Sequence, residues 1–429
     1  MSTPSPQVTR QPPAHTHGLD CEIAVIGAGI IGVCTAIELQ AAGHDVWLID
    51  RKGVAEECSY GNAGHIAVEH IFPLSSPATL LQVPKMLLQP NGPLSVRSAY
   101  LPQLMPWLMR FLWAGRPAQV RRGTEAIAAL NARALEACRS LDARFDLGGL
   151  LVEDGTLVVF ENEKNLSAAA REQRLLADFG VETALMDAAT LKAFDPSLSP
   201  ALKGAVSFPA SAHVTDPAAL VRTLASRFVQ RGGHIERQTV TGMDHSPTHL
   251  RLTTSRDRVR AGKLVIAAGA WSHQLARMLG YKVPLETERG YHLMLEAPSA
   301  QPRVPTTFHE RRFVATPMDA GLRLAGRVEL GGLKLPPNMR QAHALMPLGQ
   351  DLLPDLQAQG ATPWMGFRPT LPDSLPVIGP APNHRGIYFA FGHNHMGLTH
   401  GAITGELMRD LIGGREPQLD LTPYRIDRF

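Results

Sequence analysis

The chain has 429 residues, 44% of them hydrophobic and 19% charged. That is enough apolar content for a sizeable core and suits a globular protein of about two domains. A net charge of +3 argues against a nucleic-acid partner, which selects a strongly basic surface. The four cysteines, Cys21, Cys34, Cys58 and Cys138, form no C-x-x-C pair. A disulfide framework is therefore not expected, and a reducing, cytoplasmic compartment fits. No apolar run reaches the roughly 18 residues of a membrane-spanning helix.

Residues 1–20, MSTPSPQVTRQPPAHTHGLD, are rich in Pro, Thr and His and read as a disordered tail, not a signal peptide. EIAVIG then reads as a buried parallel strand, starting at Glu22, and GAGIIGVCTAIELQAAGH as a helix stopped by Gly43. DVWLID is a second buried strand, completing a βαβ unit. Residues 72–117 turn rich in Pro, Leu and Met. Leu101, Leu104, Met105, Leu108, Phe111 and Leu112 recur at helical spacing. Such a stripe fits a core face; with Trp107, Arg110 and Trp113 it also fits a helix lying on a membrane surface. Residues 123–145 and 163–195 read as helices flanking the strand GTLVVF.

Nucleotide-domain texture returns with the helix DPAALVRTLASRFVQRGGH and the strand KLVIAAGAWS. HLMLE, FVATPM and LRLAG alternate as strands of an antiparallel sheet, the last two joined around Asp319 to Gly321. GIYFAFG is another strand, and a helix follows over about 399–411. The alternation predicts two discontinuous domains: a nucleotide-binding one over 21–75, 200–285 and 360–429, and a second over 76–199 and 286–359.

VIGAGIIG places Gly27, Gly29 and Gly32 in G-x-G-x-x-G spacing between a strand and a helix opened by Ile30 and Ile31. Gly27 allows the tight turn, Gly29 lets backbone approach a pyrophosphate at the helix N-terminus, and Gly32 allows close helix–strand packing. Asp50 ends the second strand, where a carboxylate can accept hydrogen bonds from a ribose. Arg51 beside it suits either a 2′-phosphate or the face of an adenine. These residues predict a dinucleotide and leave NAD, NADP and FAD open.

The motifs VIGAGIIGVCTAIELQAAGHDVWLIDR, ECSYGNAGHI, VIAAGAWS, ERGYHL, GFRPTLPDSLPVIG and FGHNHMGLT follow one another in the order seen in the D-amino acid oxidase superfamily of flavoproteins, which the chain resembles from residue 22 onward. The likeness is nearest to the bacterial D-amino acid dehydrogenases. It implies FAD, a glutathione-reductase-like α/β domain, and a discontinuous α+β substrate domain with a mixed or antiparallel sheet. It implies that Val240, Ala268, Gly269 and Trp271 line the cofactor, and that Ser59, Asn62, Ala63, Gly64 and His65 run beside the flavin ring. Some relatives attach FAD through a histidine where this chain has Asn62, and others through a late cysteine that is absent here. FAD is thus expected to be non-covalent.

Oxidising an amino acid moves a hydride from Cα to the flavin N5, which needs a cation for the substrate carboxylate and stabilisation of charge on the reduced flavin. Arg368, in GFRP, is the candidate for the first: its guanidinium matches a carboxylate bidentately, although a structural ion pair would use it as well. For the second, Gly392 and the following HNHMGLTHG contribute Gly392, His393, Asn394, His395, Met396, Gly397, Leu398 and Thr399, with Thr399 near a helix N-cap. Its H-x-H spacing lacks third and fourth ligands nearby, so no metal is expected. The dehydrogenases compared carry a small residue at the place of His395, which here suits either a polar substituent of the substrate or simple packing. Tyr291 and His292 are candidates to close the substrate pocket, and His65 and His213 are further site candidates.

The resulting expectation is an FAD-dependent amino acid dehydrogenase acting on D-proline or cis-4-hydroxy-D-proline, with D-alanine-like substrates as the alternative. An NAD(P)-dependent dehydrogenase and a non-catalytic flavoprotein subunit are the competing classes. No motif separates oxidase from dehydrogenase. The electron acceptor, a quinone or an electron-transfer partner, and peripheral contact with the inner face of the cell membrane rest on the 100–115 stripe alone.

Overall fold

The computed structural model describes residues 19–89, 92–245 and 250–429, and they build two large sheets and one small one. In the first sheet, strands His234–Arg237, Val46–Asp50, Leu19–Ile26, Arg258–Ile266 and Ile387–Phe391 run parallel in that order. Near-continuous apolar runs, as a parallel sheet covered on both faces demands, occur over residues 23–26, 46–49, 264–266 and 387–391. The strand Arg258–Ile266 is long enough to serve two neighbours on one edge. Its first half pairs antiparallel with Leu250–Thr254, and its second half pairs parallel with Ile387–Phe391.

Helix Ile30–Ala41 covers one face and is buried from Ile30 to Leu39. Helix Gly397–Ile412 lies against it, and small residues set the distance: a Cβ on Gly405 would stand 2.7 Å from the Cys34 carbonyl oxygen. Glu38, on the first of these helices, is fully buried and clamped by Arg144 and by Arg409 of the second. A buried carboxylate is tolerable when paired in this way.

The second sheet has nine strands among the described residues and is mixed. Gly360–Thr370, Glu286–Glu296, Gly321–Leu330 and Phe313–Met318 form its antiparallel half. The third sheet, of His65–Ile66, Ala212–Val214 and Leu151–Val152, ties the flank of the first unit to the chain around residue 213.

The structure corrects several sequence expectations. The first strand begins at Leu19, inside the expected tail; residues 1–18 lie outside the described residues. The helical reading over 163–195 is interrupted: one helix ends at Asp178, the strand Ala184–Asp187 pairs at the sheet edge, and a short helix Ala188–Phe194 follows. Sheet membership also moves the expected domain boundaries. Strands Gly204–Phe208 and Gly360–Thr370 pair in the second sheet, although both fall in segments assigned to the first domain. Helix Pro117–Phe145, assigned to the second domain, buries Ile127, Leu130 and Leu141 in the core beneath helix Ile30–Ala41.

The 101–112 stripe resolves into two faces of helix Leu101–Ala114. Leu104 and Trp107 are buried against Leu330, with Leu108 and Phe111 packed on them. Leu101, Met105, Met109, Leu112 and Trp113 point outward, Met109 with 60% and Trp113 with 55% of its surface exposed.

Candidate active site

A cavity of about 1230 Å³ runs between the two large sheets. It exceeds the roughly 300–1,000 Å³ of ordinary small-ligand pockets, leaving room for a dinucleotide and a substrate together. At one end lies the glycine turn. Gly27 has φ +113°, and a Cβ there would meet the Ala267 carbonyl oxygen at 2.4 Å. A Cβ on Gly32 would fall 1.7 Å from the Gly27 carbonyl oxygen, so helix and strand meet without a side chain between them. Gly29, by contrast, is bare toward the cavity except for the Ser59 hydroxyl. Ser59 Oγ accepts from the Ile30 N–H at 2.9 Å and pins the helix start from another segment.

Asp50 braces this turn more than it reaches outward. Its Oδ2 accepts from the Ala28 N–H at 2.9 Å, and its Oδ1 from the N–H groups of Lys52 and Gly53. Arg51 lies over the Trp271 ring, 3.8 Å from the centroid, and pairs with Glu57. Val240, Ala268, Gly269 and Trp271 line the same end, joined by Gln238, which no sequence pattern marks. The bare glycine, the helix N-terminus beside it and the acid-ended second strand fit a dinucleotide pyrophosphate and its ribose.

Further along, the walls are Ser59, Asn62, Ala63 and His65 on one side and Gly392 to His395, Gly397 and Leu398 on the other. Four expected cofactor residues lie behind this wall. Gly32 and Gly64 serve packing, Met396 is buried, and the Thr399 hydroxyl accepts from the Ala67 N–H. Helix Gly397–Ile412 begins two residues earlier than expected, and no side chain caps it. The histidines of HNHMGLTHG diverge. His393 bonds Thr404, His400 bonds Asn131, and His395 projects into the cavity. Withdrawal from bulk water there, together with the charges of His70, Arg368 and His400, pushes the His395 pKa down to about 3. Its ring is neutral through the ordinary working range of pH.

The roof is a two-strand lattice. Across Glu286–Glu296 and Gly360–Thr370, Glu288 pairs with Arg368, Gly290 with Gly366 and His292 with Trp364. Alternation puts all six on one face. Trp364 leans over Gly366, and Arg368 leans over Gly290, where a Cβ would meet the guanidinium at 2.6 Å. Arg368 lines the cavity and, among the described residues, makes no hydrogen bond or ion pair with the protein.

Of the two residues expected to close the pocket, Tyr291 is among those lining the cavity and His292 is not. The Tyr291 hydroxyl is already engaged within the protein: it donates to Glu329 and accepts from the Asn338 N–H, 3.0 Å each. His292 shares the cavity face but is covered. It stacks on Trp364 and bonds the Gly61 carbonyl at 2.8 Å, so it holds the 59–65 segment in place. His213 is buried beside Asp154, away from the cavity wall. Glu288, Trp364 and His70 line the cavity without having been marked by any motif.

A dinucleotide-binding parallel sheet joined through one long cavity to a mixed sheet that presents a free guanidinium defines a two-unit cofactor-dependent oxidoreductase. The chain belongs to the DAO family of FAD-dependent oxidoreductases, which matches residues 22–411. It is 35% identical to a D-amino-acid oxidase of Bradyrhizobium diazoefficiens over 95% of this chain and 98% of that one. It is 29% identical to a D-amino acid dehydrogenase of Dechloromonas aromatica over 92% and 98% of the two chains. Among solved structures it resembles glycine oxidase from Geobacillus kaustophilus, with TM-score 0.75, 22% identity, and coverage of 96% and 99%. The protein is an enzyme, and its cofactor is FAD.

Proposed function

We propose that the enzyme oxidises the Cα–N bond of a free D-amino acid or cyclic imino acid, with FAD held without a covalent bond. Arg368 carries this reading: a guanidinium in a largely apolar cavity, with no protein acceptor, calls for an anionic ligand. Relatives named D-amino-acid oxidase and D-amino acid dehydrogenase support an amino acid of that hand. Gly27, Gly29, Ile30, Ile31, Asp50, Arg51, Val240 and Trp271 would hold the dinucleotide. Ser59, Asn62, Ala63, His65 and the 392–398 segment would flank the flavin. Bound FAD supplies the two-electron acceptor. Arg368 fixes the substrate carboxylate, and through it the direction in which Cα points. Trp364 covers the site from the roof and excludes water. The start of helix Gly397–Ile412 brings its positive end to the flavin side.

The narrower substrate is D-proline or cis-4-hydroxy-D-proline. The neutral His395 ring, projecting into the cavity near Arg368, is suited to hydrogen-bond a ring hydroxyl. The test is the visible spectrum of the purified enzyme under anaerobic conditions with cis-4-hydroxy-D-proline, D-proline, D-alanine and L-proline added in turn. Bleaching by the first two alone is the expected result. Bleaching by D-alanine as well supports the broader D-amino acid reading. Bleaching by L-proline alone overturns the stereochemistry, and a flavin left yellow by all four favours a non-catalytic subunit. Acid denaturation of the same sample should leave the yellow colour in the supernatant.

No described helix is long and apolar enough to cross a membrane. Peripheral contact is supported by helix Leu101–Ala114, whose outward residues Leu101, Met105, Met109 and Leu112 also edge the cavity. A lipid-soluble acceptor such as a quinone would reach the site there. Met109→Ser with Trp113→Ser should then lower co-sedimentation with anionic phospholipid vesicles and leave dye-coupled activity intact. Unchanged co-sedimentation would remove this face as the anchor.

A further inference from the structure

Glu288 is a carboxylate on the cavity face of its strand, where alternation also places Glu286, Gly290 and His292 and the ladder sets Arg368 opposite. Among the described residues it accepts no hydrogen bond and forms no ion pair. Its neighbour Glu286 shows what satisfaction looks like in this strand: the Tyr100 hydroxyl donates to both its oxygens, and the Thr287 N–H to one. Glu288 and Arg368 are register partners on adjacent strands, yet they form no salt bridge, because Arg368 leans away over Gly290. Two opposite charges thus stand side by side, both open to the same cavity. An unpaired buried charge is costly, and two together are best satisfied by a ligand carrying both signs. A free α-amino acid is such a ligand.

We propose that Glu288 receives the ammonium group of the substrate and takes one of its protons before Cα is oxidised. This rests on the reading of the substrate as an amino or imino acid held by Arg368. One N–H bond breaks, an O–H bond forms on Glu288, and the electron pair stays on nitrogen. No oxidation occurs in this step. That pair becomes the C=N bond when Cα gives up its hydrogen with both electrons to the cofactor. The charged groups around Glu288 are Arg368 across the ladder and Glu286 on its own strand. Its other register partner, Leu330, is apolar, and beyond Arg368 lie the Cys58 thiol and the neutral His395. Burial raises the Glu288 pKa, with Arg368 opposing and Glu286 adding, which strengthens the carboxylate as a proton acceptor.

The experiment compares the FAD-loaded wild type with Glu288→Gln by anaerobic stopped-flow flavin reduction from pH 6 to pH 10, using whichever amino acid bleaches the wild type. The amide keeps shape and hydrogen bonding but accepts no proton. The expected result is reduction slowed by about 10²-fold or more near neutral pH, the scale of general-base catalysis. The gap should close at high pH, where the amine arrives already neutral. Benzoate, a carboxylate without an amine, should perturb the flavin spectrum at the same concentration in both forms, and the melting temperatures should agree. Equal rates and equal pH profiles overturn the proposal while leaving the amino acid reading intact. Weakened benzoate binding in Glu288→Gln also overturns it, since Glu288 would then act by setting Arg368. A wild type bleached by no amino acid defeats the substrate reading, and this proposal with it.

Discussion

Arg368→Ala is expected to lower kcat/KM for the amino acid substrate by about 10²- to 10⁴-fold. The estimate takes two charge-assisted hydrogen bonds to the carboxylate at roughly 1.5–3 kcal/mol each. Arg368 has no hydrogen-bond or ion-pair partner in the described protein, so its removal breaks no internal contact of that kind. The melting temperature and the flavin spectrum should therefore stay near those of the wild type. A residue held in a structural ion pair would behave the opposite way, with stability falling along with activity. Arg368→Lys keeps the charge and loses the planar fork, so it should recover only part of the loss. Steady-state kinetics on the FAD-loaded enzyme decide the matter: a decrease below tenfold in the alanine variant means that the carboxylate is held elsewhere.

Gly32→Ala should be the most damaging small change in the cofactor unit. The added methyl would stand 1.7 Å from the Gly27 carbonyl oxygen, a backbone atom that cannot rotate away. The helix cannot retreat either. Its far side is closed by helix Gly397–Ile412, where a Cβ on Gly401 would already meet Ile30 at 2.7 Å. Overpacking against a backbone oxygen, with the opposite side of the helix already closed, costs about 3 kcal/mol or more. The expected product is insoluble, or soluble and colourless with a clearly lowered melting temperature. Gly29→Ala is the informative comparison, because its Cβ meets only the Ser59 hydroxyl at 3.1 Å. That variant should keep its fold and lose affinity for FAD, measured by titrating FAD into the apoprotein. A yellow Gly32→Ala protein melting like the wild type would overturn the packing account.

The cofactor end was legible in the sequence because its geometry is local. Gly27, Gly29, Gly32 and Asp50 sit within one βαβ unit, where the spacing of residues along the chain is already their arrangement in space. Even there the role of Asp50 changed. Three backbone N–H groups converge on its carboxylate, and they belong to a turn whose path the motif does not specify. The 392–398 wall was legible as a segment, but its individual residues were not. His393 turns to Thr404 and His395 to the cavity because the backbone between them passes through Asn394 at φ +51°.

The substrate end was not local. Reading RGYHL as a pocket-closing unit puts neighbours on the same side, whereas a strand sends them to opposite faces. Which face meets the cavity was set by pairing with Gly360–Thr370, about seventy residues away along the chain. That pairing placed Glu288 beside Arg368, turned Tyr291 toward Glu329, and laid Trp364 over His292. Likewise, helical periodicity could not divide the 101–112 stripe, because both of its faces are apolar. Leu330, far along the chain, chose Leu104 and Trp107 for burial and left Met109 and Trp113 outside.

By itself, then, the sequence determined the dinucleotide turn, the strands and helix around it, and the presence of an arginine suited to a carboxylate, all of them properties of short segments. Only the tertiary structure decided which acid stands next to that arginine and which tyrosine and histidine are spent on the fold. The physical reason is that a side chain's face in a sheet is fixed by its register with a distant strand, and a local pattern carries no record of that register.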